Sequence, residues 1–192
     1  MKKVSLFAAV ALIAASFSLK TFAQSTWTVD PAHSKLGFTI VHMGVSDVEG
    51  SFKISSAVIT AASDDFSGAS VTLTADAATL NTDNDARDKH VKSDAFLDVV
   101  KYPTITFKST SFKKASATTY TIVGDLTLHG VTKPVTLTAT LRQGMGMNKK
   151  PVAGFKISGT INRQDFAVGA GFGSAMLSDD ITVIANTEFD KQ

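Results

Sequence analysis

Cysteine is absent from all 192 residues, which removes disulfide cross-links, thiol nucleophiles and thiolate-bound metal at once. A chain without staples has to be held together by its core, and this one is long enough to bury a substantial core as one domain. A membrane-spanning run is missing too. The longest apolar stretch, Val4 to Phe17, is shorter than the roughly 20 residues a spanning helix needs. Positive charge is sparse: the formal +2 includes Lys2, Lys3 and Lys20, so the remainder of the chain carries −1. Nucleic acid requires a dense Lys/Arg footprint to neutralise phosphates, so that partner class is set aside.

The chain opens "MKKVSLFAAVALIAASFSLKTFAQ". A basic start, a short apolar run and small residues before Gln24 form the three-part layout of a secretory signal peptide, with Ala23 the last residue removed. Two segments follow from this: residues 1–23 as the signal and 24–192 as the mature domain. With no lipid-accepting cysteine at the cut, the expected location is the periplasm or the exterior, without a permanent membrane anchor.

From Trp27 onward, apolar residues alternate with polar ones at a period of two, the pattern of strands with one buried face. Leu36, Phe38, Ile40 and His42 share a face. Phe52, Ile54 and, after a break at Ser55-Ser56, Val58 form the next set, followed by Val71, Leu73 and Ala75. Ile105, Phe107 and Ser109 come next, then Ile122, Gly124, Leu126 and Leu128, then Val135, Leu137, Ala139 and Leu141. Phe155, Ile157 and Gly159 precede a last set, Ile181, Val183, Ala185 and Thr187. About eight strands separated by turns such as "SDDFSG", "HGVTKP" and "QGMGMNKKP" predict an all-β fold, an antiparallel barrel of about eight strands whose closure hides its edges. An interior of that size either fills with side chains or holds one small ligand. Between Asp76 and Pro103 the alternation stops, and Asn84 to Val100 suits one or two short helices with Ser93 as an N-cap.

Catalytic signatures are missing. The four histidines, His33, His42, His90 and His129, sit in no HxH or HExxH spacing, so no metal site is predicted. No GxSxG elbow marks a nucleophilic serine, and "GAGFG" (169–173) lacks the Lys-Ser/Thr ending of a phosphate loop, which leaves it as a flexible loop at a barrel end. The charged stretch "NDARDKHVKSDAF" has two readings. Arg87, Asp88 and Lys92 pair on a solvated surface, or Arg87, Lys89 and His90 form a basic rim that attracts a polar head group.

The segments "WTVDPAHSKLGFTIVHMGVSDVEGSF", "NDARDKHVKSDAFLDVVKYPTITFKSTS", "YTIVGDLTLHGVTKPVTL" and "GTINRQDFAV" resemble, in order and spacing, the YceI-like family of polyisoprenoid-binding periplasmic proteins, from about Trp27 to Phe189. The matching motif positions include His33, Ser34, His42, Gly44, Gly50, Phe52, Arg87, Asp88, His90, Phe96, Tyr102, Pro103, Phe107, Gly124, Leu126, Leu128, Gly130, Pro134, Asp165 and Phe166. The resemblance implies a lipocalin-like barrel with a helical insert that binds a polyisoprenoid, an isoprenoid quinone or a similar long-chain lipid. It implies no catalytic residues and no cofactor beyond that ligand, and it allows a homodimer. Candidate ligand contacts are Phe38, Ile40, His42, Phe52, Arg87, His90, Phe96, Tyr102, Phe107, Leu126, Leu128, Leu137 and Phe155, with Tyr102 offering a hydroxyl to the head group. Two rival readings are a hydrolase or isomerase acting on a lipid-linked substrate, with His42 or His90 as base, and a stress-related structural barrel.

Overall fold

The alternation becomes nine antiparallel strands in the computed structural model, which describes residues 24–192; the expected signal segment, 1–23, lies outside the described residues. They are β1 (Ser25–Val29), β2 (Lys35–His42), β3 (Ser46–Ala61), β4 (Ser70–Asn81), β5 (Thr104–Lys114), β6 (Thr119–Leu128), β7 (Val131–Met145), β8 (Pro151–Asn162) and β9 (Leu177–Lys191), with one helix, α1 (Asp85–Lys92), between β4 and β5. Strands β2 to β9 form a closed ring of eight, because β3 pairs with both β2 and β4 while β2 pairs with β9. Strand β1 occupies the gap beyond the end of β2. It pairs with β3 through Thr28 and Val58 and with β9 through Val29 and Phe189. The break between β1 and β2 is a 3-10 turn, Pro31–His33, whose first N–H cluster is capped by the Asp30 carboxylate accepting from Ala32 N at 2.8 Å. Among the described residues every strand therefore has a hydrogen-bonded neighbour on both sides, the arrangement that protects sheet edges from pairing with another chain.

Up-and-down connectivity places the β2–β3, β4–β5, β6–β7 and β8–β9 connections at one end of the barrel, here the upper end, and the other turns at the lower end. The lower half is filled. Trp27, Phe66, Phe112, Tyr120, Phe155 and Phe189 interlock there, with Phe66 edge-on to Phe155 at a centroid distance of 5.2 Å. Burying each such side chain contributes about 1.5–3 kcal/mol. The Tyr120 hydroxyl donates to the Asp65 carbonyl at 2.6 Å, and burial pushes its pKa up.

Three details differ from the sequence expectation. The Ser55-Ser56 break is a β-bulge inside a continuous β3, and the extra residue flips the phase, so Ala57, Ile59 and Ala61 are buried instead of Val58. Strand β4 does not stop at Asp76. It runs to Asn81 through a wide bulge, in which the Asp76 carboxylate accepts from Ala78 N and Thr79 Oγ1 accepts from Lys53 N; side chains take over the ladder there, which erases the period of two. Finally, α1 is capped by Asn84, whose side chain accepts from Arg87 N at 2.9 Å, whereas Ser93 is its C-cap. Asp85 and Asp88 then meet the positive helix end, and Lys89, His90 and Lys92 the negative one. Between β6 and β7, His129 and Gly130 both take positive φ, forming a two-residue hairpin turn. Pro134 lies within β7 and not at the hairpin's edge. It sits above the point where β7 begins to pair with β8, so its missing N–H costs no ladder bond there.

Candidate functional site

Inward-facing residues of the upper half do not meet across the barrel, and a cavity of about 310 Å³ remains between them. Its walls are Leu36, Phe38 and Ile40 from β2, Phe52 from β3, Ile105 from β5, Leu126 and Leu128 from β6, Ile161 from β8, and Leu177, Ile181 and Val183 from β9. Leu36 also packs against the filled lower core, so the aromatic cluster below forms the cavity floor. Polar groups gather at the upper end: His42 at the tip of β2, Thr82 just after β4, Arg87 and His90 on α1, and Arg163 after β8.

Two segments roof this mouth. The first is α1 with the turns that follow it, which send Val91, Phe96 and Leu97 into the cavity. The second is the 163–176 connection, which contributes Val168 and Phe172. The Phe96 and Phe172 rings stack at 4.6 Å and 21°, and His90 meets both edge-on. Gly169 has a φ of +58°, and a Cβ there would overlap the Phe96 ring, so glycine both sets the turn and lets the ring lie on the backbone.

Arg163 locks the second segment. It is 0% exposed. Its Nε donates to Ser178 O at 3.0 Å, Nη1 to Val168 O at 3.2 Å and Gly169 O at 2.7 Å, and Nη2 to Phe172 O at 2.6 Å and Leu177 O at 3.0 Å. Asp179 Oδ1, 3.0 Å from Nη2, supplies the counter-charge. Hydrogen bonds from Ser174 and Gln164, with Arg163 nearby, hold the Asp179 pKa below its ordinary value. "GAGFG" is therefore a loop wound around a buried guanidinium.

Nine of the thirteen candidate contacts line the cavity: Phe38, Ile40, His42, Phe52, Arg87, His90, Phe96, Leu126 and Leu128. Four do not. Phe155 is buried in the filled lower core, where Phe107 and Leu137 pack against the same cluster. They face inward as the alternation requires, but below the floor. Tyr102 lies outside the cavity, with its ring over Gly130 and edge-on to His129 at 4.7 Å. Arg163, Phe172, Thr82 and Met176 line the cavity without having been singled out. For the first two, the signal was their place in or near the "GTINRQDFAV" block, where a lone arginine gives no hint of burial.

The histidines have separate environments. His33 sits exposed beyond the lower end of β2, its Nδ1–H donating to Asp30 at 2.7 Å, and that bond raises the His33 pKa and lowers that of Asp30. With the half-buried Glu188 these two make a trio of metal-ligating groups in which His33 is exposed and Asp30 half-buried. Among the described residues neither His42 nor His90 hydrogen-bonds a carboxylate through its ring. His129 donates from Nδ1 to Phe166 O at 3.2 Å, tying the β6–β7 hairpin to the turn after β8.

A closed eight-stranded barrel with an apolar cavity that is open at the upper end and rimmed by polar side chains has the architecture of small-ligand-binding β-barrels. The chain belongs to the YceI-like family: the YceI-like domain matches residues 27–189. A UPF0312 protein of Pseudomonas putida (strain W619) is 38% identical over 184 residues, which cover 92% of this chain and 94% of that protein. A Campylobacter jejuni YCEI protein of known crystal structure is 34% identical, with a TM-score of 0.69 over 77% of this chain and 87% of that one. A polyisoprenoid binding domain from Saccharophagus degradans shares the fold, with a TM-score of 0.64 over 86% of this chain and 98% of that one, at 14% identity.

Proposed function

We propose that this protein sequesters or carries a long-chain apolar lipid, such as a polyisoprenoid or an isoprenoid quinone, in an aqueous compartment outside the cytoplasm. The observation that carries the reading is the cavity itself: apolar from floor to mouth, enclosed by a wall without edges, with polar groups only at the opening. A methylene moved from water into such a site gains about 0.8 kcal/mol. Affinity therefore comes from the chain, and selectivity from the rim. Exposed Met43, Val45 and Met176 surround the mouth, with Met43 N donating to Met176 O at 2.8 Å, so a chain sliding in meets apolar surface first. The polyisoprenoid-binding neighbour supports the same ligand class, and the signal-like N-terminus supports export.

An enzyme acting on a lipid-linked substrate fits less well. A histidine base needs a group to orient its tautomer, and His42 and His90 have no carboxylate partner among the described residues. The test is organic extraction of the purified protein followed by mass spectrometry, paired with Val183→Trp, which fills the cavity from β9. Wild type is expected to yield an apolar lipid in near-stoichiometric amount, and the folded variant to yield far less. If wild type contains no lipid and binds no long-chain probe, the reading fails.

A further inference from the structure

We propose that the outer wall of the barrel carries a second site, separate from the lipid cavity, in which Lys35 and Lys53 bind a dianionic phosphate group. The two lysines are directly opposite on neighbouring strands, β2 and β3. Lys53 N points away from β2 and donates to Thr79 Oγ1 on the β4 side at 2.9 Å, so the Lys35–Lys53 pair is of the non-hydrogen-bonded kind, in which side chains stand closest. The adjacent pair, Leu36 and Phe52, points into the barrel. The lysines therefore point out, and both are exposed. Like charges placed this way destabilise a sheet.

No carboxylate cancels the repulsion. Among the described residues neither ammonium has one within ion-pair distance. The acids that the register brings closest are engaged elsewhere: Asp76, opposite Lys53 on β4, turns back on its own strand to accept from Ala78 N at 2.9 Å. Glu188 lies two residues beyond Asn186, the partner of Lys35 on β9, and faces Asp30 and His33. The charge of His33 is itself matched by Asp30 at 2.7 Å.

The pair also lies in a cleft, which runs between the 3-10 turn Pro31–His33 and the bulged end of β4 and has no acidic residue in its lining. Neutral donors complete it. Asn81 Oδ1 accepts from Asp83 N, so Nδ2 is the end left to donate, and the Asn186 amide and the Ser51 hydroxyl line the same space. A phosphate dianion neutralises both lysines at once and offers acceptors to these donors, whereas a carboxylate leaves one ammonium uncompensated. Lys156 on β8 provides a control. It continues the same row beyond Asn186, two strand spacings or about 10 Å from Lys35, and lies outside the cleft.

The test compares melting temperatures in sodium phosphate and in sodium chloride of equal ionic strength, near neutral pH, for wild type, Lys35→Gln, Lys53→Gln and Lys156→Gln. The general salting effect of phosphate acts on every protein alike, so differences between them isolate the site. Wild type is expected to gain saturably, by about 3–5 °C at ten times the dissociation constant. Lys35→Gln and Lys53→Gln lose most of that gain and, with the repulsion relieved, melt about 1–3 °C above wild type in chloride. Lys156→Gln keeps the gain. Calorimetry with glycerol phosphate and co-sedimentation with vesicles containing phosphatidic acid distinguish a small phosphate ester from a lipid headgroup; binding of either that requires both lysines supports the site. The proposal is overturned if inorganic phosphate, glycerol phosphate and the vesicles all fail to bind wild type, which needs no variant to fold. It is also overturned if the gain survives in Lys35→Gln and Lys53→Gln, if both melt below wild type in chloride, or if Lys156→Gln loses as much as they do. None of these outcomes bears on the lipid reading, because the cavity lies on the other side of the wall.

Discussion

Replacing Arg163 by methionine isolates what holds the roof of the cavity. The substitution keeps an unbranched apolar stem and removes five hydrogen bonds to the carbonyls of Ser178, Val168, Gly169, Phe172 and Leu177, together with the Asp179 ion pair. Each buried acceptor left unpaired costs about 1–3 kcal/mol, so a rigid protein would lose about 5 kcal/mol or more. The 163–176 segment is at the surface, however, and its carbonyls can turn to water by opening locally, which limits the global loss to about 3–5 kcal/mol, the range for breaking a buried charge pair. Arg163→Lys offers only three donors, which leaves at least two carbonyls unpaired and is expected to cost about 2–3 kcal/mol. The assay is urea denaturation at unchanged slope, combined with limited proteolysis. Cleavage should concentrate between Arg163 and Leu177, because Gly169 and Phe172 lose their anchor before the barrel opens. Since Phe172 stacks on Phe96 at the mouth, ligand release should also accelerate. A loss below about 1 kcal/mol for Arg163→Met, with no new cleavage in this segment, would refute the reasoning.

Other perturbations probe separate parts of the molecule. Tyr120→Phe keeps the ring in the lower core but orphans the Asp65 carbonyl, so it should cost about 1 kcal/mol by denaturation; no change would show that water replaces the hydroxyl. Gly124→Ala places a Cβ against the Phe107 ring and 2.6 Å from the Lys108 carbonyl oxygen, an overpacking expected to cost about 1–3 kcal/mol. The exposed His33–Asp30 pair stabilises the fold while His33 is protonated and Asp30 ionised. His33 has a raised pKa, so its contribution is complete below its unfolded value near 6.5 and fades as pH rises through the folded one; Asp30 has a lowered pKa, so its contribution is complete above about 3.8 and fades as pH falls below it. The melting temperature of wild type minus that of His33→Asn should therefore be larger at pH 5.5 than at pH 9, and a pH-independent difference would count against the pair. Phe155→Ala, a change in the floor, should cost about 3–5 kcal/mol while lengthening the tail that the cavity accepts.

How far the sequence could be read depended on whether the deciding interaction was local. A period of two is local, and the inward faces of β2, β6 and β9 follow from it directly. The axial level of an inward residue is not. Phe107 and Leu126 are directly opposite across β5 and β6, yet one packs on the filled core and the other lines the cavity. That division depends on the stagger of strands far apart in sequence. Bulges are intermediate cases: Ser55-Ser56 is visible as a break, but whether the phase flips depends on the partner strand. The helix boundary shows direct competition. Asn84 and Ser93 are both residues that cap helices, and Asn84 wins the N-cap because Arg87 N is placed to donate to it and Thr82 anchors Arg87 and Asp88 to the end of β4. Arg163 gave no local sign, since its acceptors come from residues 168 to 178 and exist only once the loop has wrapped around it.

The two halves of the barrel divide stability from binding, and the strands run through both. A hollow core costs the packing that a filled one would supply, and no disulfide offsets it. The lower half does, through an aromatic cluster with interlocked Trp27, Phe66 and Phe155 and a ring of strands closed by β1. The roof is held differently, by polar clamps: Arg163 on one side, and Thr82, Arg87 and Asp88 on the other. Polar clamps suit a mouth better than more apolar packing would. An apolar plug would fill the space the ligand occupies, whereas hydrogen bonds to backbone carbonyls fix the segments from the upper rim of the cavity. The clamp at Thr82 differs from that at Arg163 in leaving guanidinium N–H groups without a partner among the described residues, and such a cation at the open rim of an otherwise apolar site is where selectivity for a head group can be exerted without disturbing the wall.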